Sequence, residues 1–438
     1  MQTQKQLTIL IKLAFPAVLS QLAQMGMGFI DVFMASHHHK QTLASISIGS
    51  NIFFPLIIFF MGLFLSISPL AAEANAKKQN LILAQLLKTC LWIAVVLSVP
   101  VIMTLHYFDP IIDLLKLDPA IHQGTNDYLK ALSWGVLPLF LFLVLRFFNE
   151  GLFQTRPIML ITLSALPINI ILNYVFLYHY HLGAAGLGYA TSIAYSYLFV
   201  AIALYTLNTT THSHIQHELK RASYQRILIK KIIRLGTPIG IGLTLEISLF
   251  AGIGLLMAQF GTEVVAGHQV AMNYASMAFM IPLGISIATT SRVGFYFGLG
   301  DFKTAARIGW LGTALSTSLM AISALMMLAI PEKIVGLYTQ DSATMEIAIQ
   351  LLSLAALFQL FDGIQVTLTG ALRGLQDTKI PMLIGIVAYW VFGFPLALYF
   401  SQKFMARGLW MGILAALGVA AVLLSFRFYR ITQRNLQF

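Results

Sequence analysis

Charged residues are scarce in this sequence: they make up 10% of its 438 residues, whereas hydrophobic residues make up 58%. A soluble globular domain carries about 25% charged and 45–50% apolar residues, so the composition excludes a water-soluble, disordered, collagen-like or coiled-coil chain. Basic residues outnumber acidic ones by 27 to 16, which gives a net charge of +11. With so few charges in total, we interpret this excess as the basic face of a membrane protein and not as a nucleic-acid surface.

Motifs for several kinds of chemistry are also missing. The single cysteine, Cys90, excludes an intramolecular disulfide. There is no P-loop, no His-Glu-x-x-His motif and no Gly-x-Ser-x-Gly motif, so we expect no ATP-driven pumping, no enzymatic activity and no cofactor. The run 37–39 of three histidines is interpreted as a solvated turn rather than a metal site, because adjacent residues do not share a helix face.

Long apolar stretches are abundant, and twelve of them are long enough to cross a bilayer as helices. We therefore predict an all-α integral membrane protein with 12 transmembrane helices. The first stretch is too long for a signal-peptide core, so we expect it to be retained as a span. The predicted spans are 11–34, 43–71, 83–105, 129–148, 158–178, 187–207, 233–258, 266–290, 308–330, 347–371, 380–400 and 408–426.

Lys and Arg residues are distributed unequally between the two sides of the predicted membrane protein. If successive loops alternate between the sides, 21 basic residues fall on the side of the N-terminus and 6 on the other. The positive-inside rule then makes the first side cytoplasmic, so we expect both termini to be cytoplasmic.

The two halves of the sequence resemble each other at an offset of 222 or 223 residues. Residues 11–16 correspond to 233–238, and residues 151–156 correspond to 374–379. Each copy holds six spans, an even number, so both copies enter the membrane from the same side. The halves should then be related by a pseudo-two-fold axis along the membrane normal, an arrangement found in transporters.

This repeat predicts the domain organisation. We expect two six-helix lobes joined by a basic cytoplasmic linker. The predicted segments are 1–207 for the N-terminal lobe, 208–232 for the linker and 233–438 for the C-terminal lobe.

Three acidic residues lie inside apolar runs: Asp31 in the first span, Glu246 in the seventh and Asp362 in the tenth. An ionised carboxylate at mid-membrane costs roughly 2.5–3.5 kcal/mol on insertion scales, and no Lys or Arg lies inside the predicted apolar cores. Each carboxyl group must therefore be protonated, bind a cation such as sodium, or face water. The alternatives are that Asp31 reaches the outer interface and that the other two are protonated and donate to backbone carbonyls.

Other polar residues inside the spans are candidate partners for these acids. Asn169 and Asn173 are four residues apart and share a helix face. Thr191 lies on the next span, and Gln24 lies on the helix of Asp31. Each of them alone is also explained as a hydrogen-bonding contact between helices.

Several segments carry a family signature. They are 26–35 around Asp31, 265–273 (Val-Ala-Gly-His-Gln-Val-Ala-Met-Asn), 362–366 (Asp-Gly-Ile-Gln-Val) and 372–378 (Leu-Arg-Gly-Leu-Gln-Asp-Thr), together with Glu246. In these segments the chain resembles the multidrug and toxic compound extrusion (MATE) family, in its bacterial NorM-type branch, over essentially its whole length.

The resemblance implies a secondary active transporter that exports cationic amphipathic drugs or metabolites in exchange for sodium ions or protons by alternating access. It implies that Asp31 is the N-lobe carboxylate, with Asn169, Asn173 and Thr191 grouped around its cation. It further implies a location in the bacterial cytoplasmic (inner) membrane, contact with the lipid bilayer, and no nucleic-acid partner. We expect a monomer, because two lobes in one chain would suffice.

By the same resemblance, Glu246 and Asp362 match the C-lobe carboxylates, so a sodium ion or proton could bind there as well as at Asp31. The chain departs from the family pattern at Phe358, where NorM relatives carry a tyrosine four residues before the tenth-span acid. A hydroxyl group is therefore missing from this part of the expected cation site.

Three alternative functions are compatible with the span count. A flippase or exporter of a lipid-linked or other metabolite shares a related plan, but it should line its cleft with Lys or Arg, which are rare in these spans. An intramembrane aspartyl protease would need two acids close enough to share a proton. A lipid-embedded scaffold would show no ion-dependent flux.

Overall fold

A computed structural model describes residues 2–114, 117–209 and 213–436 of the chain. The remaining residues are therefore outside the description that follows. They include Lys116, which is one of the six basic residues on the side opposite the N-terminus, residues 210–212 of the predicted linker, and the outermost residues of both predicted lobes.

The described residues form helices and no strands, as the apolar composition predicts. In the first half of the chain the α-helices are α1 (Gln2–His38), α2 (Lys40–Leu65), α3 (Ile67–Ala76), α4 (Asn80–His106), α5 (Asp109–Asp113), α6 (Pro119–Gly151), α7 (Thr155–Tyr174), α8 (Gly183–Asn208) and α9 (Ser213–Leu219). In the second half they are α10 (Arg226–Met257), α11 (Thr262–Gly298), α12 (Phe302–Ala329), α13 (Pro331–Gly336), α14 (Ser342–Gly374), α15 (Lys379–Gly385) and α16 (Phe394–Leu436). Two π-helical segments, Val175–His179 and Ile386–Gly393, and a 3₁₀ turn at Ala258–Phe260 continue these helices.

Within the described residues, 11 helical segments are long and apolar enough to cross a membrane. The first ten correspond one to one with the first ten predicted spans. The eleventh, Lys379–Arg434, contains 56 residues and covers both remaining predictions, 380–400 and 408–426. A straight helix of that length would measure about 84 Å, far more than the ~30 Å hydrocarbon core.

A reversal of the chain inside this segment resolves the difference. Met405 has φ 50° and ψ −131°, which is not a helical conformation. A Cβ atom at Gly408 would lie 2.2 Å from the carbonyl oxygen of Phe400, and one at Gly412 would lie 2.3 Å from the Cβ of Ala397. Residues before and after Met405 therefore pack closely against each other, and the segment provides two spans, which brings the number to the predicted twelve.

The chain divides into two compact units, which are described separately below. One unit comprises Leu19–Thr237, and the other comprises the chain up to Val18 and from Pro238 onward. The divisions fall inside α1 and α10, close to Pro16 and at Pro238. Proline removes a backbone hydrogen bond from a helix interior, so both divisions coincide with weakened helix positions. The predicted lobes, 1–207 and 233–438, were defined by the order of the spans, whereas these units are defined by packing. The lobe boundaries therefore stay a prediction.

Each unit is organised around one central helix of 33 residues. In the Leu19–Thr237 unit, α6 packs against α2, α4 and α8. In the other unit, α14 packs against α11, α12 and α16. In the first unit the fourth span thus packs against the second, third and sixth spans, and in the other unit the tenth packs against the eighth, ninth and twelfth. Since these spans are six apart, the packing within the units follows the sequence repeat.

Turns at repeat-related positions also share an unusual backbone. A positive φ is rare for residues other than glycine, because the Cβ atom meets the neighbouring carbonyl oxygen. The equivalent pairs, 222 or 223 residues apart, are Lys78 (φ 54°) with Gly300 (φ 76°), Phe153 (φ 64°) with Gln376 (φ 60°), and Gly183 (φ 56°) with Met405 (φ 50°).

A close helix contact is repeated as well. A Cβ atom at Gly151 would lie 2.5 Å from the carbonyl oxygen of Ser68, and one at Gly374 would lie 2.8 Å from that of Thr290. Both the glycines and their partners are one repeat length apart. The two units are thus built on one scaffold, and they differ in the polar side chains that the scaffold carries.

We predict that Gly412→Ala destabilises the protein by about 1–3 kcal/mol, because the added methyl group overlaps Ala397 and must displace one of the two packed segments. Gly418→Ala on the same helix is the matched control, since a Cβ atom there meets nothing within 4 Å. Thermal unfolding of the detergent-solubilised proteins measures the difference. Equal melting temperatures for the two variants would contradict the close packing of these segments.

Candidate functional site

The Leu19–Thr237 unit holds a polar cluster around Asp31. Asn173 Nδ2 donates to Asp31 Oδ1 at 2.6 Å, and Thr191 Oγ1 donates to Asp31 Oδ2 at 3.0 Å. Asn173 Nδ2 also lies 3.3 Å from Asn169 Oδ1, one helical turn away on α7. Three helices, α1, α7 and α8, therefore bring these four side chains together.

Burial leaves some polar atoms of this cluster without a partner. Asn169 and Asn173 have no exposed surface, whereas Asp31 is half-buried. Asn169 Nδ2 and Asn173 Oδ1 are buried and have no hydrogen-bond partner. Such unsatisfied atoms are rare in folded proteins. The oxygen of Asn173, together with the Asp31 carboxylate, has the chemistry to bind a small cation, for which oxygen ligands are preferred.

Gln24 is not joined to this cluster by a hydrogen bond. It lies seven residues before Asp31 on α1, which is about 10 Å along the helix axis. Its Nε2 atom is buried and has no hydrogen-bond partner. In the sequence repeat, Gln24 occupies the position of Glu246, 222 residues later.

The other unit holds a second polar cluster, which contains both remaining acids. Gln365 Nε2 donates to Glu246 Oε1 at 2.8 Å and to Asp362 Oδ1 at 3.2 Å. The hydroxyl of Tyr389 donates to Gln365 Oε1 at 3.0 Å. Asp362, Gln365 and Tyr389 are buried, and Glu246 is half-buried. Helices α10 and α14 and the π-helical segment Ile386–Gly393 supply these side chains.

A cavity of about 50 Å³ adjoins this second cluster. It is lined by Glu246, Gln365 and Tyr389, and by Arg373 and Asp377. One water needs at least 10–15 Å³ of such space, so the cavity has room for a few waters or an ion. It is far too small for a drug-sized molecule, which occupies about 300–1,000 Å³.

Phe358 does not belong to the polar cluster. Its ring is buried against the indole of Trp410, with ring centroids 5.6 Å apart. The hydroxyl that the chain lacks at this position is instead supplied to the cluster by Tyr389 on another helix.

Gln365 and Tyr389 were not recognised as site residues from the sequence. Gln365 was detectable, because it lies three residues after Asp362 and hence on the same helix face. Tyr389 had no such signal, since its place beside α14 depends on how the eleventh span packs.

Three arginines at or near the ends of predicted spans are nevertheless buried within the protein. Arg146, Arg292 and Arg373 are no more than 8% exposed. Arg146 lies within the predicted span 129–148, whereas Arg292 and Arg373 lie where α11 and α14 continue beyond the predicted span ends. Arg146 Nε donates to the equally buried Glu150 at 2.8 Å, so its charge is compensated locally.

The acids in the two clusters keep polar rather than basic contacts. Among the described residues, none of the ion pairs involves Asp31, Glu246 or Asp362. Arg373 shares the cavity with Glu246, so this acid has a basic residue in its surroundings that the sequence did not predict. Each cluster thus contains carboxylate oxygens, a type of ligand that cations prefer.

Comparison with known proteins gives a consistent result. The chain matches the MatE family over residues 16–175 and 238–399, once in each half. It is 34% identical over 434 residues to a probable multidrug resistance protein NorM from Acinetobacter baylyi, covering 97% of this chain and 96% of that protein. It is 34% identical over 429 residues to the multidrug resistance protein MdtK from Yersinia pseudotuberculosis, covering 95% and 94% of the two chains.

Solved structures show the same fold at lower sequence identity. An outward-facing multidrug resistance MATE family transporter of the MOP superfamily has a TM-score of 0.92 at 18% identity, covering 99% of this chain and 97% of that one. The Vibrio cholerae MATE transporter VcmN in its bent form has a TM-score of 0.89 at 15% identity, covering 99% and 98%. The family match and the 34% identical relatives cover most of the sequence. The chain therefore belongs to the MatE family of multidrug and toxic compound extrusion proteins, and it is a multi-pass membrane transporter rather than an enzyme.

Proposed function

We propose that this protein exports cationic amphipathic compounds in exchange for sodium ions or protons, and that Asp31, Glu246 and Asp362 bind the entering cation, the drug, or each in turn. The observation that supports this most directly is the environment of the three acids. They are buried or half-buried within membrane-spanning helices, and their contacts are amides and hydroxyls instead of ion pairs. The relatives of this chain that are named for multidrug resistance support the choice of drugs as the substrate class.

Charge balance explains how such groups couple two fluxes. An ionised carboxylate in a low-dielectric interior is costly unless a positive charge or strong hydrogen bonds compensate it. A coupling cation and a cationic drug both supply that charge, and one carboxylate cannot be neutralised twice. Binding of the entering cation therefore releases the drug, and loss of the cation restores the affinity for the drug.

Net export additionally requires two conformations that expose the site to opposite sides of the membrane. Each ligand shifts the equilibrium between them only by its difference in affinity for the two. The inward gradient of the coupling cation then sets the direction of the cycle, because the cation enters the outward-facing site, displaces the drug there and leaves from the inward-facing site.

The Asp31 cluster suits a small cation. Asp31 contributes carboxylate oxygens, and the buried Oδ1 of Asn173 is an oxygen ligand without another partner. In this role Asn169 orients Asn173 from the preceding helical turn, and Thr191 orients the carboxylate. Gln24 is a more distant polar neighbour on the same helix.

The cellular setting follows from the charge distribution and the relatives. We infer a monomer in the bacterial cytoplasmic membrane, with both termini and the basic segment 208–232 in the cytoplasm. The 21 basic residues predicted on this side support the orientation.

We predict that Asp31→Asn, Glu246→Gln and Asp362→Asn each reduce gradient-driven export at least tenfold, because an amide cannot exchange a proton or neutralise a cation. Efflux of a fluorescent cationic dye from proteoliposomes, under an imposed sodium gradient and then under a pH gradient, measures the effect. Glu263→Gln is the control, since this glutamate is exposed in the first turn of α11.

Undiminished efflux from any of the three variants, at equal reconstitution, would remove that residue from the mechanism. If neither gradient drove export by the unmodified protein, the antiport proposal itself would fail.

Orientation is testable because Cys90 is the only cysteine and is buried. In a Cys90→Ala background, Lys40→Cys should react with a membrane-impermeant maleimide in intact spheroplasts, whereas Ser223→Cys should react only after the membrane is opened. Both positions are exposed and lie in loops predicted on opposite sides. The reverse labelling pattern would show that the termini are outside.

A further inference from the structure

The amide group of Gln365 lies between the two carboxyl groups of the second cluster. Its nitrogen is 2.8 Å from Glu246 Oε1 and 3.2 Å from Asp362 Oδ1. A glutamine amide nitrogen carries two hydrogens, whereas a carboxylate oxygen only accepts hydrogen bonds. The amide therefore uses one hydrogen for each acid and joins them as a bridge.

Tyr389 fixes the orientation of this bridge. Its hydroxyl donates to Gln365 Oε1 at 3.0 Å, so the carbonyl oxygen of the amide is occupied on the side away from the two acids. Rotation of the amide by half a turn would place this oxygen against two carboxylate oxygens, would break both hydrogen bonds to the acids, and would require the Tyr389 hydroxyl to change from donor to acceptor. Both side chains are less than 5% exposed, so water has little access to replace them.

This orientation of the amide affects whether a sodium ion or a proton can bind to the two acids. A sodium ion needs several oxygen lone pairs around it, as hard cations do in general. Here Gln365 presents N–H groups to the acids, and these repel a metal ion, while Phe358 offers no oxygen. A proton needs only one free carboxylate oxygen, and Gln365 leaves the second oxygen of each acid available.

Other charged and titratable groups of this unit have their own contacts. Asp377 pairs with Arg427 at 2.7 Å, His268 on α11 accepts from Trp410 Nε1 at 3.1 Å, and Arg292 donates to Gln6 at 2.6 Å. Arg373 lines the same cavity as Glu246, and its positive charge disfavours a proton and a metal ion alike, so the choice between them falls to the amide of Gln365. The two acids are thus the groups of this cluster that exchange a proton.

We propose that Tyr389, acting through Gln365, makes the Glu246–Asp362 pair selective for protons over sodium ions. Tyr389 is a positioning residue in this account. It does not touch the cation, and it determines which end of the Gln365 amide faces the cation. The inference rests on the proposed role of Glu246 and Asp362 as coupling groups, but it concerns which cation they bind and not whether export occurs.

Trp390 provides a local optical reporter for this site. Its indole Nε1 donates to the carbonyl oxygen of Leu245 at 3.3 Å, next to Glu246 and adjacent in sequence to Tyr389. We would record the fluorescence of the purified full-length protein during a pH titration without sodium, and during a sodium chloride titration at fixed pH with choline chloride keeping the ionic strength constant. The difference from Trp390→Phe isolates the local signal, and Glu246→Gln shows that the signal depends on the acid.

In the unmodified protein, we expect the Trp390 signal to change with pH and to stay constant with sodium. In Tyr389→Phe the amide is released and its oxygen can turn towards the acids, so a sodium-dependent change should appear, with its midpoint at least tenfold below the highest sodium concentration at which the parent signal stays constant. Gln365→Glu, which replaces the N–H groups with an oxygen, should shift the response in the same direction. Tyr197→Phe, which removes a comparable hydroxyl that hydrogen-bonds Ser164 in the other unit, should behave like the parent.

A sodium response of the unmodified protein, an absent pH response, or an unchanged sodium response in both Tyr389→Phe and Gln365→Glu would overturn the proposal. These outcomes are separate from a failure of the proposed function, which would appear as undiminished dye efflux from the Glu246→Gln and Asp362→Asn proteins.

Discussion

The cost of a carboxylate inside a membrane is the constraint on which the proposed function of this protein depends. An acid in an apolar helix is tolerated only when hydrogen bonds, water or a cation compensate its charge. Asp31 receives two hydrogen bonds, and Glu246 and Asp362 share the amide of Gln365. This partial compensation leaves oxygen atoms with affinity for a positive ligand. A fully formed ion pair at each acid would have removed that affinity.

The two units use one scaffold for different polar chemistry. Their central helices have the same partners, and their turns share positive φ angles at equivalent positions. The acids do not follow the repeat, however. The position equivalent to Asp31 is occupied by Ile253, and the position equivalent to Glu246 is occupied by Gln24. Duplication thus explains the architecture, while each unit has its own cluster: an acid with amide and hydroxyl donors in one, and two acids bridged by an amide in the other.

Much of the fold could be predicted from the sequence because the bilayer imposes a simple rule of length and hydrophobicity. The spans follow from it, and even the merged segment Lys379–Arg434 contains the two predicted spans on either side of Met405. The repeat is visible separately, in the residues that the two halves share at an offset of 222 or 223. The burial of Arg146 and Arg373 could not be predicted, because it depends on which helices pack around the C-terminal ends of α6 and α14. The three acids and the partners of Asp31 were identifiable from their type and spacing. The contribution of Tyr389 depends on packing between spans, which single-sequence patterns do not encode.

Mutual exclusion of drug and coupling cation is the central claim, and equilibrium binding tests it most directly. The affinity of the purified protein for a fluorescent cationic drug would be measured at several pH values and sodium concentrations, at constant ionic strength. The account predicts that the apparent affinity for the drug falls as protons or sodium ions occupy the acids, and that Asp31→Asn, Glu246→Gln and Asp362→Asn together make drug binding independent of both. Drug binding that is already insensitive to pH and to sodium in the unmodified protein would contradict it.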